Sequence, residues 1–92
     1  MNIGKTCIQA CINKEPSAQR ELYAQLLPYL NALTFRYLNH TASRSDVLQE
    51  SFVKIFTKID HYKEDKGAFK SWAAQILINT CLDYNRKYSV EN

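Results

Sequence analysis

Apolar residues along this chain recur three and four positions apart, and no stretch alternates apolar with polar for long enough to make a useful strand. The spacing predicts four helices. Cys7, Ile8, Cys11 and Ile12 give a short first helix over about residues 4–13, closed by the punctuation NKEPS. Pro16 then suits the first turn of a second helix, where its missing N–H costs nothing. That helix runs over about 17–38 on the stripe Leu22, Leu26, Leu30, Leu33 and Tyr37. Pro28 falls inside the stripe, which predicts a kink near Ala24, but the stripe keeps phase on both sides and one helix is expected.

The segment NHTASRSD reads as a loop, and Ser43 with Asp46 three residues on resembles a capping box. A third helix over about 44–59 carries Leu48, Phe52, Ile55 and Ile59 on its core side, with Phe56 flanking them. Asp46, Gln49, Glu50, Val53 and Thr57 share the opposite face. After a polar loop from Asp60 to Gly67, a fourth helix over about 68–88 buries Phe69, Ala73, Ile76, Leu77, Thr80 and Tyr84. Ser71, Gln75, Asn79, Leu82 and Arg86 form a second stripe, and Trp72 stands between the two.

At 92 residues, 46% hydrophobic and with two Gly and two Pro, the chain fits one compact all-α domain, a bundle of three to four helices. Leu26, Leu30, Leu33, Phe52, Ile55, Ile59, Phe69, Ile76 and Leu77 are the expected core. A net charge of +3 permits a nucleic-acid partner without requiring one. Three cysteines, two of them four apart in one helix, and no secretory signal suit free thiols in a reducing cytoplasm. A zinc site would lack a fourth ligand, because His40 and His61 stand alone in polar loops. No glycine-rich phosphate loop, His-x-x-x-His pair or nucleophile elbow is present, so the sequence points away from an enzyme, a cofactor or a metal.

Two surfaces remain, each with two readings. Asp46, Gln49 and Glu50 are either a solvated face that complements the helix N-terminus or a docking face for a basic partner helix. Lys63, Lys66 and Lys70 flank Tyr62, Phe69 and Trp72. They are either a solvated loop over core aromatics, or cations for phosphates beside rings on which unpaired bases stack.

The runs DVLQESFVKIFTKID and GAFKSWAAQILINTCLDYNRK, joined by a short basic loop and preceded by ELYAQLLPYLNALTFRYL, resemble domain two of the extracytoplasmic-function (ECF) sigma factors of bacterial RNA polymerase. The resemblance spans about residues 5–88. It implies that Asp46, Gln49, Glu50 and Val53 bind the clamp helices of the polymerase largest subunit, β′. It also implies that the loop 61–70, with Tyr62, Lys63, Lys66, Lys70 and Trp72, captures a flipped base of the −10 promoter element on the non-template strand. Gln75, Asn79 and Arg86 would hold that strand, and an anti-sigma factor would be a further partner. Gln75 and Ile78 stand where such helices often carry arginine, which implies a weaker phosphate grip. Only YSVEN follows Lys87, so the family's helix-turn-helix domain for the −35 element is expected to be absent, with the chain either an excised piece or one that has lost the family's full activity. The alternative is a helical interaction module or decoy that binds polymerase or a regulator without reading DNA.

Overall fold

The structure is a computed structural model and describes residues 3–39 and 43–88. The middle of the NHTASRSD loop, His40 included, and the final SVEN lie outside the described residues. Four α-helices form the domain: α1 (Lys5–Ile12), α2 (Pro16–Tyr37), α3 (Arg44–Lys58) and α4 (Phe69–Tyr88). No strand occurs among the described residues, so the expected all-α bundle is what the chain forms. The polar loop between α3 and α4 is less plain than its sequence suggested, for it contains single 3-10 turns at Ile59–His61 and Glu64–Lys66.

The helix ends follow from local chemistry. Lys14 adopts φ 62°, the left-handed conformation that reverses the chain after α1. Its N–H donates to the carbonyl of Cys11 at 2.9 Å, and that of Glu15 donates to the carbonyl of Ala10 at 3.0 Å. This pair of bonds is the Schellman arrangement, here without its usual glycine. Pro16 occupies the first position of α2, as its sequence context indicated, and α2 continues past Pro28 to Tyr37 as one helix. At the far end Asn85 of α4 fastens the end of α2. Its amide Nδ2 donates to the carbonyl of Tyr37 at 2.7 Å, and its Oδ1 accepts from the N–H of Asn39 at 2.8 Å.

The capping box expected at Ser43 does not close. Ser43 precedes α3 with φ −94° and ψ 1°, and its side chain makes no capping bond. A cap of that kind uses an extended residue whose hydroxyl turns back on the first helical N–H groups.

The core lies where α4 packs against both α2 and α3. Leu22, Leu26, Leu30, Ile55 and Leu77 are fully enclosed, and Phe52, Ile59 and Phe69 nearly so. Two expected core residues, Leu33 and Ile76, sit only partly buried at its edge. On α3 the enclosed residue is Val47, whereas Leu48 is partly buried and turns to the α2 side. The enclosed row of α3 runs Val47–Ser51–Ile55, which the apolar stripe alone did not single out, and α3 packs against both α2 and α4. Ser51 was not expected inside, and its hydroxyl is buried with no hydrogen-bond partner.

Candidate polymerase and nucleic-acid interfaces

The outer face of α3 presents three of its four candidate residues to solvent. Asp46 lies in the first turn, where a negative charge complements the helix N-terminus. Gln49 is exposed, and Val53 is 60% exposed. Glu50 differs, since it is half-buried and engaged on both oxygens. Its Oε2 pairs with Lys54 Nζ at 3.1 Å, and its Oε1 accepts the Tyr84 hydroxyl at 3.2 Å. Lys54 Nζ also donates to Thr80 Oγ1 at 3.1 Å, which ties α3 to α4. Burial first, and then the Glu50 charge, raise the Tyr84 phenol, so it stays neutral and remains a donor.

Beside this face, α2 and α3 enclose a groove of about 960 Å3. Tyr23, Leu27, Leu48, Phe52 and Phe56 supply apolar walls, while Gln49, Val53 and Thr57 reach it from the outer face of α3. Arg44 stands at one end, with Nε donating to Thr34 Oγ1 at 3.1 Å and its guanidinium 3.8 Å from the centre of the exposed Phe35 ring. Sequence reasoning gave neither Arg44 nor Phe35 a role. Their contact joins the end of α2 to the start of α3, and no spacing rule reports such a contact.

The second surface is the loop before α4. Tyr62, Phe69 and Trp72 form one aromatic cluster, with Tyr62 edge-on to Phe69 at 5.1 Å and 5.7 Å from Trp72. The Tyr62 hydroxyl donates to the carbonyl of Gly67 at 2.7 Å. Gly67 has φ 133°, a conformation that residues with a Cβ rarely adopt, so the sharp turn here requires glycine. Around this turn lies a hollow of about 370 Å3, lined by His61, Tyr62, Lys63, Lys66, Gly67, Ala68, Ser71 and Trp72.

The structure thus brings four candidates, Tyr62, Lys63, Lys66 and Trp72, to one concave place. Gln75, Asn79 and Arg86 continue from Ser71 along the exposed side of α4, with Gln75 Nε2 donating to Asn79 Oδ1 at 3.0 Å. Arg86 pairs with Asp83 one turn earlier. Lys70 is placed elsewhere, its ammonium over the Tyr29 ring of α2 at 4.2 Å and outside the lining of the hollow.

The three thiols are free; Cys7 is half-buried, and Cys11 and Cys81 are buried. Burial, with the neighbouring Cys7, pushes the Cys11 thiol up to about 11. Among the described residues no group of three or more His, Cys, Asp or Glu could hold a metal, and no helix is long and apolar enough to cross a membrane.

The α3 face offers carboxylates, an amide and an exposed valine, and the loop offers ammoniums and aromatic faces, groups suited to holding partners. That is the equipment of a helical binding module. Residues 22–90 match the family Sigma-70 region 2, and the chain belongs to that family. It is a sigma factor domain, of a non-enzymatic class of transcription initiation proteins. The protein described as ECF RNA polymerase sigma-E factor in Salmonella typhimurium strain LT2 is 34% identical to it, over 59% of this chain and 33% of that relative. The protein of the same description in Salmonella typhi is similar to the same extent. The chain therefore spans about a third of the length of the curated relatives it matches.

Proposed function

We propose that this domain docks on the clamp-helix coiled coil of the polymerase largest subunit and captures an unpaired base of the −10 element from the non-template strand. The observation that carries the reading is the hollow at the loop, where two lysines and two aromatic rings meet around a turn only glycine makes easily. Such a hollow offers a base a stacking surface, worth about 1–3 kcal/mol per base, and offers its phosphates two cations. Asn79 supplies an amide able to read a base edge, and Gln75 and Arg86 extend the track along α4, while Lys70, held over the Tyr29 ring, stays outside the hollow. Strand separation is then driven by binding energy given to unpaired bases, and no covalent bond is made or broken.

Fluorescence anisotropy on the chain tests this. Exposing a base in a duplex costs a few kcal/mol, so a single strand carrying the −10 motif should bind more tightly than the same sequence as duplex. Asn79→Ala should lower discrimination among bases more than it lowers affinity. Lys66→Ala should do the reverse and flatten the dependence on salt, because phosphate contacts position while base contacts specify. Equal binding to both forms without salt dependence would leave the decoy reading, in which the groove and α3 face bind polymerase or an anti-sigma factor alone.

The α3 face has its own test. Glu50→Lys should weaken binding to a clamp-helix fragment, since charge reversal sets like charges against a basic partner. It should also lower stability by about 1 kcal/mol, because Tyr84 loses its acceptor and Lys54 gains a like charge four residues away. Glu50→Gln separates the two effects, for it keeps an acceptor and removes only the charge. Unchanged affinity in both variants would return Glu50 to a purely structural role.

A further inference from the structure

Helix α1 precedes the residues that match the family, which begin at Leu22, and neither surface described above includes it. It nevertheless reaches the loop. Lys5 Nζ lies 3.2 Å from Glu64 Oε1. Ile8 and Ile12 line, together with Tyr62 and Glu64, a second hollow of about 400 Å3. Tyr62 is therefore shared, since the residue that packs on Phe69 and Trp72 of α4 also lines this hollow with the apolar residues of α1. Glu64 and Asp65 put two carboxylates between Lys63 and Lys66, the lysines that line the first hollow. A phosphate approaching the loop is repelled by any acid left unpaired, and Lys5 offsets one of the two.

We infer that α1 is a working part of the strand-capture site, with Lys5 holding Glu64 and Ile8 and Ile12 backing Tyr62, so that α1 sets the position of the loop and thereby its discrimination among bases. This deepens the strand-capture reading and rests on it. Lys5 is a positioning residue and acts through Glu64. The pair is exposed on both sides, so its coupling is small and salt-sensitive, and a two- to five-fold effect is the scale to look for.

A double-mutant cycle on the 92-residue chain tests the inference. Lys5→Gln should lower the preference for a motif-bearing single strand over a scrambled one by about two- to five-fold at low salt. In a Glu64→Gln background the same change should have little effect, and the charge-swapped pair Lys5→Glu with Glu64→Lys should regain most of the preference. If Lys5 instead touches phosphate itself, its loss weakens all strands equally in both backgrounds, and the inference fails. Trp72 is the only tryptophan and packs on Tyr62, so its quenching by acrylamide reports the loop without any DNA. Lys5→Gln should increase that quenching, and Glu64→Gln should match it. Unchanged quenching in both variants overturns the positioning of the loop by α1. Absence of single-strand binding in every variant, with quenching altered, overturns the strand-capture reading while the mechanical link between α1 and the loop stands.

Discussion

Lys14 shows how one residue records a compromise. A side chain in the left-handed region costs roughly 1 kcal/mol that glycine avoids, yet the Schellman bonds after α1 need that conformation. Lys14→Gly should therefore raise stability by up to about 1 kcal/mol in thermal melts, because the folded backbone already fits glycine. Cys11 makes a different statement. Its thiol has an ordinary value of 9.0 and is pushed up to about 11 by burial. The folded state thus keeps its proton where the unfolded state has released it, so stability is complete below about pH 9 and falls as the pH rises toward 11. The slope per group reaches about 1.4 kcal/mol per pH unit. Cys81 is raised by burial and Tyr84 by burial and Glu50, so both act in the same direction. Denaturant titrations at several pH values should show a shallower alkaline loss in Cys11→Ala than in the unaltered chain. Equal slopes would mean that Cys11 ionises with no preference for the unfolded state.

Among the elements, α4 does most to hold the others. Thr80 receives Lys54 from α3, Tyr84 donates to Glu50, and Asn85 satisfies a carbonyl and an N–H at the end of α2. The stretch from Asn79 to Arg86 therefore mixes two kinds of work. Asn79 and Arg86 lie on the exposed side, while Asn85 is half-buried and spent on the fold. Asn85→Ala should cost about 1–3 kcal/mol, since it removes two hydrogen bonds and leaves the backbone groups of Tyr37 and Asn39 without their partner. Thermal denaturation checks this, and a loss confined to the amide-exchange protection of the last turn of α2 would show that the latch is local. Helix α1 is eight residues long, too short to be stable by itself, so its helicity depends on packing against α2 and the loop region.

For the whole molecule, the core is shallow enough that one ring matters. Phe52 is 5% exposed, with the Tyr23 ring centre 4.4 Å away and Phe56 stacked at 6.2 Å. Phe52→Ala should cost about 3–5 kcal/mol, a large share of the stability of a domain this size, and should also reshape the groove that Phe52 helps to line. A mutant that melts like the unaltered chain would place Phe52 outside the core. The sequence by itself determined the helices, because apolar spacing at three and four, the proline at the start of α2 and the scarcity of glycine are local signals that burial then obeys. It also determined which residues of the loop would gather, since Tyr62, Lys63, Lys66 and Trp72 are near in sequence and Gly67 forces the turn between them. Tertiary structure decided the rest. Whether Val47 or Leu48 is enclosed depends on how α2 and α4 pack around α3, and periodicity cannot report that. Glu50 looked like a solvated charge until Tyr84, 34 positions away in sequence, supplied a donor. Lys70 reads as part of the basic loop, yet the Tyr29 ring of α2 draws it aside. Lys5 meets Glu64 only because α1 folds back onto the loop. In each case the deciding partner comes from another element, and a contact between distant segments exists only once the helices have packed.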